Sequence, residues 1–290
     1  MTDSAELAAR CRVTPGTAVD LDDWNPADRL GLSKTDAEAM LTAGAERLDA
    51  LHERLYAQRA WSVLLVLQGM DASGKDGAIK RLAAGLNAQG LRVVSFAAPS
   101  TLELSHDFLW RVHQALPPRG MVGIFNRSHY EDVVALRANP ALLPRLGLPA
   151  SLIGPEMWTQ RLGAIVAFET YLAQQGTAIA KVFLNISPAE QRKRLLERLD
   201  DPAKEWKFDA ADLAARDLWA EHRAAYNAAL TATATATAPW YIVPADSKPV
   251  ARALVQAILL TTMEGLDLDR PAPTPERLAA MEAARRQLKA

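Results

Sequence analysis

Short apolar runs alternate with helix-like segments through most of the chain. Five runs that are apolar at nearly every position occupy residues 63–67, 91–96, 121–125, 179–186 and 240–243. Runs of this kind are typical of strands that helices cover on both faces, and their alternation with helical segments indicates βαβ units. The pattern therefore predicts an α/β fold with a five-stranded parallel sheet flanked by helices.

The N-terminal region lacks this alternation. Residues 1–33 are polar and irregular, with turns at residues 24–26 and at Gly31. Ser33 to Asp36 resembles a capping box, and apolar residues then recur at helical spacing. We expect an arm followed by one long helix that ends near Gln58, so that residues 1–58 form a helical extension packed on the core.

The remaining chain divides into a main domain, residues 59–265, and a C-terminal tail or helix, residues 266–290. Residues 137–155 mix prolines and leucines without periodicity, which predicts a loop or short helices. The Thr-Ala repeat at residues 231–238 lies between a helical segment and Pro239. We interpret it as a helix end that frays into a loop.

Composition restricts the partners. The 290 residues are 49% hydrophobic, which suffices for a large core. Lys and Arg number 33 against 34 Asp and Glu, a formal charge of -1. A chain of this balance has no global field that would recruit a nucleic-acid polymer or an anionic membrane. Any polyanion must be bound by local basic clusters.

The single cysteine, Cys11, excludes an intramolecular disulfide and a cysteine-based zinc site. A free surface thiol is the simplest interpretation. The acidic N-terminal residues do not resemble a signal peptide, and no stretch approaches the roughly 20 apolar residues of a membrane span. We expect a cytoplasmic protein without a membrane partner.

The strongest motif follows the first apolar run. The segment 69–75 reads Gly69-Met70-Asp71-Ala72-Ser73-Gly74-Lys75 and matches G-x-x-x-x-G-K, the P-loop, and an amphipathic helical pattern follows it. Backbone N–H groups of such a loop bind phosphate, and the lysine ammonium neutralises the transferring group. We expect that ammonium to be exposed in the loop.

One position departs from the usual P-loop. Asp76, followed by Gly77, stands where a serine or threonine normally binds magnesium. A carboxylate can take over this task, because Mg²⁺ accepts one or two carboxylates together with substrate oxygens and water. Asp71 is the first candidate ligand and Asp76 the alternative.

A second polar cluster follows the third run. Asn126 occupies a position suited to orienting magnesium, and Arg127 beside it can bridge two phosphates. Since ligands bind beyond the carboxyl ends of parallel strands, this cluster is expected to face the P-loop. The simpler alternative is a solvated Arg127–Glu131 salt bridge. For His129 we favour a packed loop residue.

A basic helix is predicted after the fourth run. Ser187 to Glu190 forms a capping box with proline at the first helical position. Arg194 and Arg198 then lie four apart on one face, and residues 191–207 hold six basic and four acidic side chains. We expect a lid over about residues 187–215 that binds an anion, although a solvated helix face is the simpler interpretation.

Several segments together resemble the polyphosphate kinase 2 family, over about residues 24–248. They are residues 67–77, 106–111, 124–132, the pair Trp206-Lys207, and residues 239–246. The resemblance implies a P-loop kinase fold related to thymidylate kinase, with a helical lid. It also implies transfer of a terminal phosphoryl group between inorganic polyphosphate and AMP, ADP or ATP, with Mg²⁺ or Mn²⁺.

Residue roles follow from the same resemblance. Asp71, Lys75 and Arg127 match essential positions of the family, Arg194 and Arg198 resemble its lid arginines, and Asp76 is typical of it. Asn126 with His129 and Glu131 resembles class III, which accepts nucleoside monophosphates and diphosphates. The family also suggests a homo-oligomer, a dimer or tetramer.

Two other functions fit parts of the sequence. One is an ATP-dependent P-loop kinase of a nucleoside, nucleotide or small metabolite, which would share the fold but not the donor. The other is a non-catalytic nucleotide-binding regulatory protein. The presence of Asp71, Lys75 and Arg127 together favours turnover over binding alone.

Overall fold

The computed structural model of the chain describes residues 3–203, 206 and 210–289. Its centre is a five-stranded sheet in the order β2-β3-β1-β4-β5, in which all neighbouring pairs are parallel. The strands are β1 Ser62–Gly69, β2 Leu91–Ser95, β3 Val122–Asn126, β4 Thr177–Asn185 and β5 Trp240–Pro244. The predicted α/β fold with a five-stranded parallel sheet is confirmed.

Helices connect the strands and cover both faces of the sheet. They are α1 Ser4–Cys11, α2 Lys34–Gln58, α3 Lys75–Ala83, α4 Thr101–Leu104, α5 Trp110–Ala115, α6 Glu131–Ala138, α7 Glu156–Gln174, α8 Pro188–Leu199, α9 Ala210–Asp217, α10 Trp219–Thr233, α11 Lys248–Glu264 and α12 Pro275–Lys289. All eight residues of β1 are buried. This explains why the run is apolar at nearly every position, since helices pack on both of its sides.

Helix α2 begins where the capping box predicts. The Ser33 side chain accepts a hydrogen bond from the Asp36 N–H, and the Asp36 carboxylate accepts one from the Ser33 N–H. Its apolar face packs against α11. The helix ends at Gln58, because Arg59 adopts a left-handed conformation with φ +55°.

The N-terminal arm is more regular than expected. It contains α1, whose Leu7 and Cys11 are buried against α11 and β5, and Arg12 forms an isolated antiparallel bridge with Tyr241 of β5. The prediction of an irregular arm is therefore wrong for this segment. Cys11 is 1% exposed rather than at the surface, and burial raises the pKa of its thiol to about 12.

Residues 137–155 contain the 3-10 helices Pro140–Leu146 and Ala150–Leu152, as their composition predicts. Helix α10 ends at Thr233, and a loop leads from there to β5. Helix α12 buries none of its residues. Within the described part of the chain, no helix is long and apolar enough to cross a membrane.

The part of the expected lid that the structure describes contains α8 and α9. Helix α8 starts at the predicted cap, where the Ser187 side chain accepts from the Glu190 N–H. Three basic or acidic residues counted in the lid, Lys204, Glu205 and Lys207, lie outside the described residues. The lid movement itself stays a prediction.

Candidate active site

The P-loop joins β1 to α3 and depends on glycine for its shape. Gly69 has φ +146°, and a Cβ atom there would lie 2.8 Å from the Leu184 carbonyl oxygen and 2.9 Å from the Ser73 hydroxyl. Gly74, at φ +109°, is the residue before α3. Ala72 is also left-handed, with φ +60°. Such conformations favour glycine and turn successive N–H groups toward a bound anion.

The Arg194 side chain supports this loop through hydrogen bonds to its backbone carbonyls. Its Nη1 donates to the carbonyl oxygens of Ala72 and Ser73, at 3.0 and 2.9 Å. Its Nη2 donates to Ala245 and Asp246 oxygens, and its Nε donates to Glu190. A guanidinium has five N–H groups, and all five are used within the protein.

The helical spacing predicted that Arg194 lies on a solvent-facing surface of the lid. The structure shows that it does not. It is 4% exposed and faces inward from α8. The physical reason is that carbonyls on the outer side of a phosphate-binding loop need donors once they are buried. Arg198, one turn further along α8, lines the open cavity beside the loop. Direct phosphate binding by either arginine stays a prediction.

Lys75 is buried as well, although we expected an exposed ammonium. Its Nζ donates to the Gly69 and Met70 carbonyl oxygens, at 2.7 and 3.2 Å, and the residue is 8% exposed. Burial lowers the pKa of this ammonium to about 8, and the nearby positive charge of Arg127 adds to the decrease. The lysine therefore lies folded onto the loop that would hold a phosphate.

Arg127 lies between two carboxylates at the carboxyl end of β3. Its Nη2 donates to Asp71 Oδ1, and its Nη1 donates to Glu131 Oε2 at 3.2 Å. Both carboxylates raise the pKa of the guanidinium, Glu131 most strongly. The simpler alternative predicted a solvated salt bridge between Arg127 and Glu131. This ion pair exists, but it is partly buried, and Arg127 also pairs with Asp71 of the P-loop.

Asn126 and Asp76 provide oxygen atoms next to the loop. The Asn126 Nδ2 donates to Asp76 Oδ1 at 3.0 Å, while the buried Asn126 Oδ1 has no hydrogen-bond partner. An unpartnered buried oxygen next to the Asp76 carboxylate, in a cavity that Asp71 also lines, suits a hard cation such as Mg²⁺. Within the described residues, no group of three or more His, Cys, Asp or Glu forms a metal cluster on its own.

These residues surround a cavity of about 400 Å³. Six basic residues line it against three acidic ones. The basic residues are Lys75, Arg127, Arg194, Arg198, Lys248 and Arg252; the acidic residues are Asp71, Asp76 and Glu197. Gly74 and Gly77 also line it. An excess of cations around a P-loop favours a highly charged anion as the ligand.

Lys248 and Arg252 also line the cavity, although they are not among the residues predicted for the site. Both belong to the first turns of α11, which follows β5 at the same edge of the sheet. A Cβ on Gly77 would lie 2.9 Å from the Arg252 guanidinium, so the glycine makes room for it. The available signal was two basic residues four apart, directly after the last apolar run.

A smaller cavity adjoins the first and contains the other predicted site residues. Gly69, Met70 and Glu131 line it, together with His222 and Tyr226 of α10. Burial lowers the pKa of His222, while the nearby Glu131 and Asp71 oppose this shift. Nothing in the sequence marked His222, because it lies in an ordinary helical segment that only the fold brings to the site.

A third cavity, of about 290 Å³, lies at the carboxyl end of β2. The half-buried Phe108 and several aliphatic residues line it. It also contains a buried ion pair, Arg111 with Asp132, at 3.0 Å. Arg161 packs over the Phe108 ring at 4.9 Å. An apolar cavity with a few fixed polar groups is the usual form of a site for a small organic ligand.

Comparison with protein families gives one match over most of the chain. The model described as Polyphosphate kinase 2 matches residues 31–271. This segment contains the P-loop, the β3 cluster, the lid helices and the first turns of α11.

Two curated relatives are similar over nearly their whole length. The ADP-polyphosphate phosphotransferase of Rhodopseudomonas palustris is 43% identical over 279 residues, which cover 96% of each chain. The AMP/ADP-polyphosphate phosphotransferase of Meiothermus ruber is 44% identical over 264 residues, covering 90% of this chain and 95% of that one.

Solved structures agree with these matches. The crystal structure of Polyphosphate Kinase 2 from Arthrobacter aurescens TC1 superposes with a TM-score of 0.88 at 39% identity, covering 99% of this chain and 97% of that one. A putative polyphosphate kinase 2 from Pseudomonas aeruginosa gives a TM-score of 0.75 at 30% identity, over 84% of this chain and 50% of that one.

Proposed function

The chain belongs to the polyphosphate kinase 2 family, and we propose that it transfers a terminal phosphoryl group from inorganic polyphosphate to AMP and ADP. The observation that carries this proposal is the 400 Å³ cavity beside the P-loop, with its six basic side chains. A single nucleotide triphosphate tail needs fewer cations than this. Arg194 is fully hydrogen-bonded within the protein, so a long chain of phosphates would be bound by the other five cations: Lys75, Arg127, Arg198, Lys248 and Arg252.

Phosphoryl transfer depends mainly on alignment and charge neutralisation. In the proposed reaction, the P-loop N–H groups and Lys75 bind the transferring phosphoryl group. Arg127, placed between the P-loop and α6, aligns donor and acceptor phosphates. No general base is needed, because the acceptor oxygen belongs to a phosphate that is already ionised.

A divalent cation fits this site. We propose that Asp71, with Asn126 Oδ1 or Asp76, holds Mg²⁺ or Mn²⁺ next to the loop. The ion would neutralise phosphate charge, which is its usual role in phosphoryl transfer. The protein side chains keep separate tasks: Lys75 and Arg127 bind phosphates, and Asn126 orients Asp76 through its amide hydrogen bond.

We further propose that the acceptor's nucleoside lies in the cavity at the end of β2. Asp132 lines that cavity, and the preceding residue, Glu131, pairs with Arg127. The strand order places β3, which Arg127 follows, between β2 and the strand β1 that leads into the P-loop. Phe108 offers an aromatic surface for a base.

Use of both AMP and ADP requires a site that tolerates two acceptor lengths. Glu131 is the proposed residue that senses the difference, because its carboxylate can organise a metal ion or water where AMP lacks a phosphate. The name of the relative from Meiothermus ruber includes both AMP and ADP. We also propose a homo-oligomer, which light scattering of the purified protein would test.

The deciding assay uses ADP or AMP with polyphosphate and Mg²⁺, in the absence of ATP. Formation of ATP from ADP, and of ADP from AMP, is the expected result. Absence of product from both, with turnover of ATP and a small acceptor, would favour an ordinary ATP-dependent kinase. Nucleotide binding without product from any donor would favour a regulatory protein.

A further inference from the structure

A buried ionic network lies directly beneath the Arg127 segment. Lys181 of β4 is 0% exposed and donates to Glu169 of α7, to the Tyr130 hydroxyl at 3.0 Å and to the Thr233 carbonyl at 2.8 Å. These three bonds use all three N–H groups of the ammonium. Glu169, 2% exposed, also accepts from the Tyr130 hydroxyl at 2.9 Å.

The network attaches to the segment that carries Arg127. His129 and Tyr130, the second and third residues after Arg127, both reach Glu169 Oε1, His129 through Nε2 at 3.2 Å. Tyr130 also packs edge-on against Trp240 of β5. The side chains that follow Arg127 are therefore fixed to α7, β4 and β5 at once.

Arg127 itself needs such support. Its backbone is left-handed, with φ +62°, a conformation that is unfavourable for a residue with a side chain. The Arg127 N–H donates to the Leu67 carbonyl, and the Gln68 side-chain amide is hydrogen-bonded to the Ser128 hydroxyl. Strained conformations persist only where surrounding contacts determine them. Here those contacts are β1 on one side and the buried network on the other.

Stability alone gives no reason for burying these charges. A buried ion pair contributes little net stability, because desolvation offsets its attraction, and apolar residues of similar volume often serve as well. What a hydrogen-bonded ion pair adds is fixed geometry. The pair orients Tyr130 and His129, whereas an apolar pair would leave His129 Nε2 without its partner and Tyr130 with only the Thr233 hydroxyl.

We infer that the Glu169–Lys181 pair is a positioning element that holds Arg127 in its left-handed conformation and thereby aligns its guanidinium for phosphoryl transfer. This inference rests on the proposed function of Arg127. Neither Glu169 nor Lys181 lines the phosphate cavity or the smaller cavity beside it, so the direct connection of the pair to the site is through His129 and Tyr130.

The test compares three variants with a control. Glu169→Gln leaves Lys181 without its counter-charge, Tyr130→Phe removes only the connecting hydroxyl, and the double variant Glu169→Leu/Lys181→Met removes both charges. Gln256→Met is the control, because it deletes a buried hydrogen bond to the Leu41 carbonyl between α11 and α2. The measurements are the free energy of unfolding, kcat and KM with polyphosphate and ADP, and hydrogen exchange of residues 126–130.

We expect Glu169→Gln and Tyr130→Phe to lower kcat by roughly 10-fold, with less change in either KM, in keeping with typical couplings between residues of one network. The double variant should regain stability but keep the low kcat. When Arg127→Lys is already present, adding Glu169→Gln or Tyr130→Phe should lower kcat by less than about 2-fold further, because the effect passes through Arg127. The control should lose stability without losing kcat.

Recovery of wild-type kcat by the stable double variant would overturn the inference. It would also be overturned if Glu169→Gln or Tyr130→Phe lowered kcat as strongly in the presence of Arg127→Lys as in its absence. If Glu169→Gln fails to fold, Tyr130→Phe carries the same test. Hydrogen exchange separates this inference from the proposed function. A wild-type protein without turnover refutes the proposed function, whereas faster exchange confined to residues 126–130 in the variants still supports the positioning role, and unchanged exchange there contradicts it.

Discussion

Arg194 and Arg198 are chemically identical side chains one helical turn apart, yet the structure gives them different surroundings. Arg194→Gln would remove donors from four carbonyls, three of them in buried hydrogen bonds, in the P-loop and after β5. Loss of one partner from a buried, charged hydrogen-bond cluster costs about 3 kcal/mol or more. We expect Arg194→Gln to lower both stability and kcat, as measured by urea unfolding and initial rates.

Arg198→Gln is the matched control. The residue lines the cavity from the half-buried side of α8, so its stability effect should stay within about 1 kcal/mol. Its KM for polyphosphate should rise, and the dependence of that KM on salt should decrease, because one cation fewer remains to be screened. Equal stability losses in both variants would contradict the assignment of Arg194 as a support of the loop.

Lys75→Met tests the P-loop ammonium without changing its stem much. Removal of a charge that stabilises the transferring phosphoryl group should lower kcat at least ~100-fold. Stability should change little, because the loss of hydrogen bonds to the Gly69 and Met70 carbonyls is offset by the removal of a cation that burial disfavours. Thermal melting measures the stability of the variant, and a rate assay measures its kcat. Near-normal turnover in a well-folded variant would exclude the P-loop from the reaction.

The same lysine predicts a pH dependence. Its pKa in the free protein is lowered to about 8, so the ammonium is protonated below that pH and loses its proton above it. Values of kcat/KM, which report the free enzyme, should fall as the pH rises through about 8. Arg127 will not contribute to this decrease, because its pKa is raised. A profile that stays flat to pH 10 would show that Lys75 is not the titrating group.

At the scale of elements, the sequence predicts strands and long helices well. Unbroken apolar runs mark β1, β3 and β5 to within a residue or two, and a capping box locates the start of α2. Helix α1 was missed because two turns give too little periodicity. Helical spacing shows that Arg194 and Arg198 share a face of α8, but it cannot show that Arg194 points into the loop and not into solvent.

Two helix caps offer an element-scale prediction. Ser33→Ala and Ser187→Ala each remove one side-chain cap, from α2 and α8, and each should cost about 1 kcal/mol in the free energy of unfolding. Only Ser187→Ala should also lower turnover, because α8 carries Arg194 beneath the P-loop. Chemical unfolding measures the loss of stability in each variant, and steady-state kinetics measures its turnover. Equal kinetics in both variants would show that the position of α8 does not influence the site.

Across the whole molecule, strand order decides which residues meet. The P-loop, Asn126 and Arg127 could be predicted to share a site, because each follows an apolar run and parallel strands end at one edge. Lys248 and Arg252 follow the last apolar run, so the same argument applies to them, although they were not predicted. His222 could not be predicted, since its place depends on how α10 packs. A net charge of -1 likewise hides the local excess of cations at the cavity.

This arrangement separates the proposed donor and acceptor sites along the sheet edge. Phe108→Ala changes the cavity at the end of β2 and not the phosphate cavity. Loss of an aromatic stacking surface costs about 1–3 kcal/mol per base, so KM for AMP and ADP should rise roughly 10-fold. KM for polyphosphate should stay unchanged, the opposite of the Arg198→Gln result. A shift in polyphosphate KM alone would place the nucleoside elsewhere.

Cys11 gives the chain a built-in chemical reporter. Its thiol is the single one in the sequence, lies under α1 against the core, and is kept protonated by its raised pKa. Alkylating reagents will therefore react only when α1 separates from α11 and β5, so the labelling rate measures the opening of the N-terminal segment. A second cysteine introduced at an exposed lid position would react first, which allows a dye to be placed there without removing Cys11.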